Sequence, residues 1–236
     1  MGFWRDFSSV FKKNRLTFVE KQQEAGNVVS FLFRLGEPAF WTAGQHGIFT
    51  FPGKLEGRSW RAFSLSSAPY EAEVRITTRI SDTPSPYKQA LMALTPGDQM
   101  IMRGPFGPFF LDGSKRPVVF IAGGIGITPY RALIGNAVRN KGKAPASIHL
   151  IYADDRGEYA FRNELEAMVE QDGFVTTDYT TSKEVPDKIA SSIAKWGNGA
   201  LYYVSGPVGM VSAVKRMLRD QGIGGKNIKS DLFMGL

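Results

Sequence analysis

The sequence predicts a chain in two parts, an antiparallel β barrel or sandwich followed by an α/β unit on a parallel sheet. Three observations lead there. Up to about residue 113 the chain carries short runs rich in β-branched and aromatic residues, punctuated by Gly26-Asn27, Gly36, Pro52-Gly53 and Pro96-Gly97. Beyond it, strands that begin with the all-apolar run 118–122 alternate with helical stretches, the pattern of a parallel sheet covered on both faces. The length, 236 residues, suits one large domain or two small ones.

In the first part, strands are expected at 15–20, 28–35, 47–51, 61–66 and 74–80, with one helix over 86–94. In the second, strands are expected at 118–122, 148–153, 175–180, 201–205 and 228–233, five in all. Helices are expected between them at 129–139, 161–170, 188–195 and 209–219. Gly113-Ser114-Lys115-Arg116-Pro117 reads as the linker, giving domains 1–113 and 114–236.

Composition narrows the chemistry. With 43% hydrophobic and 22% charged residues the chain can bury a core. It has no cysteine, which removes disulfides, thiolate metal sites, a thiol nucleophile and a cysteine-held iron–sulfur cluster. Its two histidines, His46 and His149, make a histidine-rich metal site unexpected. No apolar run approaches the roughly 20 residues of a membrane span, and no signal peptide is visible. The expected location is the cytoplasm, which a cysteine-free composition fits without requiring. A net charge of +7 favours an acidic partner or an anionic cofactor. It is spread without long basic runs, so no nucleic-acid partner is expected. Phe3, Phe7, Val10 and Phe11 fall at helical spacing, so residues 1–13 are read either as an arm packed on the barrel or as a peripheral membrane contact.

Three stretches carry chemistry. Gly123-Gly124-Ile125-Gly126-Ile127-Thr128-Pro129 follows the first strand of the second part and opens its first helix. Glycines admit a pyrophosphate to the backbone, a helix N-terminus supplies N–H groups, Thr128 suits an N-cap and Pro129 a first helical position. Ser205-Gly206-Pro207 ends the fourth strand of the same sheet, so two turns share one sheet edge. On the barrel, alternation from Arg61 to Ser67 puts Arg61, Phe63 and Leu65 on one face, Ala62 and Ser64 on the other. An arginine can pair with a diphosphate, an aromatic can stack on a ring, and a hydroxyl can bond a ring nitrogen.

In this order, with Gly104-Pro105-Phe106-Gly107 between them and Phe233 near the C-terminus, these motifs resemble the ferredoxin–NADP(H) reductase superfamily over about residues 14–235. The resemblance implies an antiparallel Greek-key flavin-binding barrel followed by a five-stranded parallel nucleotide-binding unit. It implies FAD, and hydride transfer from NADPH, or NADH, to flavin N5, with electrons then passing to a separate acceptor. Arg61 would hold the flavin pyrophosphate, with Ala62 beside it. Phe63 would pack on the flavin and Ser64 bond near N5. Thr77, Thr78 and Arg79 would line the ribityl and phosphate path, and Ser85 would cap a phosphate. Gly123, Gly124, Gly126, Thr128 and Pro129 would bind the nicotinamide nucleotide. Ser205, Gly206 and Pro207 would close on its ring, and Phe233 would shield the flavin. The family usually has cysteine where Ser205 stands and often glutamate where Asp231 stands. Ser182 and Lys183 lean toward NADPH, while Asp154-Asp155 opposes it. The expected acceptor is an acidic electron carrier such as a ferredoxin or flavodoxin, or an oxygenase component. Ferric chelates or free flavins are the alternative. A flavin-binding regulatory or assembly subunit is the reading from another class.

Overall fold

The structure, a computed structural model, describes residues 12–37, 40–53 and 55–233, with backbone alone at Gln171, Asp172 and Phe233. It divides into two compact units, Met1–Phe110 and Leu111–Leu236.

The first unit holds β1 (Lys13–Ala25), β2 (Val28–Leu35), β3 (His46–Thr50), β4 (Trp60–Ser64), β5 (Glu73–Arg79), α1 (Pro86–Met92) and β6 (Gln99–Phe106). The strands form one antiparallel sheet in the order β4-β3-β6-β1-β2-β5. A bridge between Leu65 and Ile76 joins the two edges, so the sheet closes into a Greek-key barrel. Alternation fills it. Leu16, Phe18, Phe31, Phe33, Phe49, Val74 and Ile76 enter one core, and Tyr87 and Leu91 of α1 plug it. The two-residue turn Gly26-Asn27 fixes the β1–β2 register, with Gly26 at φ +49°.

β6 is a strand the sequence reading did not assign. Met100 and Met102 point inward and are fully buried, while Gln99 and Arg103 are exposed. The period-2 pattern is present, but methionine is not a typical strand residue, and Gly104-Pro105 looks like a turn. β6 is nonetheless central, lying between β3 and β1.

The second unit holds β7 (Val118–Gly123), α2 (Thr128–Arg139), β8 (Ile148–Ala153), α3 (Arg162–Asp172), β9 (Val175–Thr180), α4 (Val185–Trp196), β10 (Leu201–Pro207), α5 (Val208–Asp220) and β11 (Ile228–Phe233). Its sheet is parallel, in the order β11-β10-β7-β8-β9. On one face Val119, Ile121, Ile151 and Val204 pack against Val185 and Ile189 of α4 and Val211, Val214 and Leu218 of α5. On the other, Phe120 stacks on Tyr130 of α2 at 4.5 Å. Arg131 of α2, nearly buried, pairs with Glu164 of α3 at 2.6 Å and ties these helices together. No helix among the described residues is long and apolar enough to cross a membrane.

Candidate functional site

In the barrel unit, β4 presents the Arg61–Ser64 motif with the expected alternation. Arg61 and Phe63 gather around Tyr87. The Arg61 guanidinium lies 5.3 Å from the Tyr87 ring, and the Phe63 ring is 6.1 Å from Tyr87 and 5.8 Å from Phe49. Tyr87 is held in place by donating its hydroxyl to the Phe49 carbonyl at 3.0 Å. Burial pushes its phenol far above the usual range, with Arg61 pulling the other way. Arg61 Nη1 donates to the carbonyls of Trp60 at 2.9 Å and Arg58 at 3.3 Å.

A second cation, Lys88, stands close enough to feel the Arg61 charge. Lys88 Nζ donates to the Arg79 carbonyl at 2.8 Å, and Arg79 Nη1 donates to Asn27 Oδ1 at 2.7 Å. Desolvation lowers the Lys88 pKa, and the Arg61 charge lowers it further. Among the described residues, neither Arg61 nor Lys88 has a carboxylate partner. Like charges left unneutralised beside an aromatic cluster suit an anionic ligand with a flat ring.

The remaining barrel residues divide. Ser64 is buried, and Ala62 is exposed on the face opposite Arg61 and Phe63, so only the Ala62 backbone shares their side. Ser85 caps α1, accepting from the Lys88 N–H at 3.5 Å. The Thr77 hydroxyl is engaged by two others, Ser30 Oγ at 2.7 Å and Ser66 Oγ at 2.9 Å. Its side chain therefore serves a buried barrel network. Thr78 alternates to the other side of β5 and is also buried.

In the second unit the glycine loop forms a 3₁₀ turn, Gly124–Ile127, that runs straight into α2. This corrects the expected cap. Thr128 already has helical angles, φ −55° and ψ −50°, and its hydroxyl donates back to the Ile125 carbonyl at 3.1 Å. Pro129 is thus the second helical residue. The N–H groups that open a helix and lack a partner within it therefore belong to the glycine turn itself.

Each glycine has its own reason. Gly124 sits at φ +51°. A Cβ on Gly126 would stand 2.2 Å from the Ser205 carbonyl oxygen and 2.8 Å from Gly206 Cα. The loop and the 205–207 turn are therefore packed backbone to backbone, as the adjacency of β7 and β10 requires. A Cβ on Gly123 would meet the Met210 sulfur at 2.2 Å. Beside this contact, the Ser205 hydroxyl is fully buried and, among the described residues, has no hydrogen-bond partner. Such a group costs about 1–3 kcal/mol. Ser205→Ala is therefore expected to melt at the wild-type temperature or slightly above; a lower melting temperature would mean that the hydroxyl is satisfied in the native protein.

The ends of β8 and β9 bring two loops together. Asp155 Oδ1 accepts from the Ser182 N–H at 2.7 Å. Hydrogen bonds from Ser182 hold the Asp155 carboxyl below its ordinary range, with Lys183 adding to the effect. Asp154, buried, accepts from the N–H groups of Arg156 and Glu158 and shapes its own turn. Ser182 and Asp155 oppose each other as coenzyme signals in the sequence, and the fold joins them by a hydrogen bond. The Phe233 backbone pairs with Pro207, while its ring lies outside the described side chains.

The chain thus joins a closed antiparallel barrel that carries a cationic aromatic cluster to a parallel sheet whose glycine turn is sealed onto its neighbouring strand. Residues 120–216 match the family model of the oxidoreductase NAD-binding domain. The fold is that of ferredoxin–NADP(H) reductases, as the motifs suggested: a ferredoxin–NADP+ reductase of Plasmodium falciparum superposes with a TM-score of 0.79 at 17% identity, covering 95% of this chain and 97% of that one. It is 29% identical over 252 residues to the flavohemoprotein of Vibrio cholerae serotype O1, covering 99% of this chain and 61% of that protein. It is 26% identical over 212 residues to a component of the Na(+)-translocating NADH-quinone reductase of Klebsiella pneumoniae, covering 80% of this chain and 52% of that one. The chain thus spans about half to three fifths of these curated relatives. Among solved structures, a cytochrome P450 reductase of Amycolatopsis superposes with a TM-score of 0.81 at 20% identity, covering 95% of this chain and 70% of that one. The cytochrome b5 reductase domain of Ulva prolifera nitrate reductase gives 0.79 at 20% identity, covering 94% and 98%.

Proposed function

We propose that this chain is a flavin-dependent NAD(P)H oxidoreductase that takes reducing equivalents from a nicotinamide nucleotide and passes electrons to a separate acceptor. The observation that carries it is the glycine turn of the family-matched unit, packed on the 205–207 turn beside the Ser205 hydroxyl, which has no partner among the described residues. When bound, FAD accepts hydride at N5 and releases electrons onward. The chain's own work is binding and orientation. Arg61, Arg79 and Lys88 neutralise the diphosphate, Phe63 packs on the ring, Ser64 bonds its edge, and Ser85 and Thr78 flank the phosphate path. In the second unit the N–H groups of the 124–127 turn hold the nucleotide pyrophosphate, and Ser205 to Pro207 meet the nicotinamide. The barrel is the FAD-binding domain and the parallel-sheet unit the NAD(P)-binding domain.

Anaerobic titration with NADH and then NADPH, following the visible spectrum, tests this. Bleaching of a flavin band is the expected result. A chain with no flavin band after reconstitution with FAD, or one that neither nucleotide bleaches, would overturn it.

For the coenzyme we propose NADH over NADPH. Ser182 and Lys183 taken alone lean the other way, but the Ser182 N–H is engaged by an ionised Asp155, which repels a 2′-phosphate placed there. Asp155→Asn is expected to lower the KM for NADPH severalfold and leave that for NADH nearly unchanged. Equal changes for both coenzymes would reject the assignment.

The relatives are named for different acceptors, including quinone and cytochrome P450. For this chain an acidic electron carrier fits the net charge of +7. Residues 1–13 are proposed to touch a membrane surface, and the whole is proposed to reside in the cytoplasm.

A further inference from the structure

Part of the outer face of the barrel sheet carries cations that have no ion pair among the described residues. Register places Lys13, Arg103, Ile48 and Ala62 in one row across β1, β6, β3 and β4. The next row is Arg15, Ile101, Thr50 and Trp60. Cross-strand partners lie on the same face of an antiparallel sheet, so these eight side chains form one surface. Lys13, Arg15 and Arg103 are exposed, Ile48 and Ile101 are half-buried between them, and Trp60 is 43% exposed. The Arg58 guanidinium stacks on the Trp60 ring at 4.8 Å. Neither row contains a carboxylate. The nearest facing pair beyond them, Arg34 opposite Glu73, is balanced.

Lys13 directly opposite Arg103, with Arg15 diagonal to it, is a destabilising arrangement in an isolated sheet. It is relieved by an anionic surface. Two features select a lipid surface. First, the chain enters this face at Lys13, and the twelve residues before it include Phe3, Trp4, Phe7, Val10 and Phe11, together with Arg5 and Lys12. Stable attachment to a bilayer takes two signals, such as an apolar segment and a basic patch, and here they are contiguous. Second, the patch is a broad sheet surface with a tryptophan at its margin, where an indole sits at headgroup level.

We propose that the outer face of β1, β6, β3 and β4 docks on an anionic lipid surface, with Lys13, Arg15 and Arg103 contacting headgroups and Trp60 at the interface. This rests on the reading of residues 1–13 as a membrane contact and adds the folded surface that works with them.

Sedimentation of the full chain with phosphatidylcholine vesicles, with and without phosphatidylserine, tests it. Binding is expected only to the anionic vesicles and is expected to be lost at high salt. Each cation removed should weaken partitioning about fivefold, so the triple change Lys13→Gln, Arg15→Gln, Arg103→Gln should weaken it about 100-fold. Circular dichroism and the flavin spectrum report whether that variant folds; if it does not, the single variant Arg15→Gln carries the test at about fivefold. Deletion of residues 1–11 tests the segment separately. If deletion abolishes binding and the glutamine variants bind as wild type, the segment reading stands and the sheet-face proposal is overturned. If the glutamine variants lose binding and the deletion does not, the sheet face stands alone. No binding to anionic vesicles at low salt overturns the proposal. If an acidic electron-carrier protein is then bound through the same three cations, the face belongs to a protein partner.

Discussion

Gly126→Ala is expected to destabilise the nucleotide unit more than any other single added methyl in the glycine loop. The new Cβ would lie 2.2 Å from the Ser205 oxygen, 2.6 Å from the Ser205 carbonyl carbon and 2.8 Å from Gly206 Cα. All three are backbone atoms of a strand paired on both sides, to β7 and to β11, so none can swing away. Overpacking of this kind costs about 3 kcal/mol, the upper end for an inserted methyl, and should lower the melting temperature by about 10 °C. Gly123→Ala provides the control. Its nearest obstacles are the sulfur and, at 3.2 Å, the Cε of Met210, the end of a flexible side chain, followed by Pro207 Cδ at 3.5 Å. That variant should melt within a few degrees of wild type. Thermal melts by circular dichroism, with a coenzyme binding isotherm for each variant, check the ranking. If Gly126→Ala melts like wild type, the two turns are not packed as described and the nucleotide cleft built on them fails with it.

This contact also shows what sequence could and could not reveal. β2, β8 and β9 were legible to the residue because each is a β-rich or apolar run, and β11 because it is the strand left after the last helix of the alternation. The strand β1 continues five residues beyond its expected end, through Lys21, Gln22 and Gln23, because pairing with β2 carries it where its own residues would not. The Thr128 cap was a sound local expectation overridden by the 3₁₀ turn, which begins the helical geometry four residues earlier. Residue types at both sites were legible; their partners were not. Gly126 meets Ser205 only because β10 lies beside β7, an adjacency that skips two strands and three helices. Asp155 meets Ser182 because β8 and β9 are in parallel register from Ile148↔Val175 to Ala153↔Thr180, so the loops that follow emerge side by side. Lys88 and Tyr87 were read as part of a helix, and nothing in a one-dimensional pattern places them against Arg61.

Arg61→Ala should weaken FAD binding by about 10- to 100-fold, the loss expected when charge-assisted hydrogen bonds to an anion are removed. The arginine is preorganised. Its Nη1 is anchored on the Trp60 and Arg58 carbonyls, and its plane lies over Tyr87. Among the described residues its Nη2 and Nε have no acceptor, which leaves donors to offer an anion. Lys88 reports on the same charge. Its pKa is lowered by desolvation and by Arg61, so a diphosphate bound there should raise it, and binding should take up protons at alkaline pH. Tightest FAD binding is accordingly expected below the lowered Lys88 pKa, with affinity falling as pH rises through it. Arg61→Lys should recover only part of the loss, because an ammonium cannot offer the planar fork. Lys88→Ala should weaken binding less than Arg61→Ala and should flatten the alkaline limb. Titration of apoprotein with FAD, followed by quenching of flavin fluorescence across pH, reads all three variants in one experiment. Wild-type affinity in Arg61→Ala would remove the arginine from the diphosphate site, and an unchanged alkaline limb in Lys88→Ala would remove the lysine.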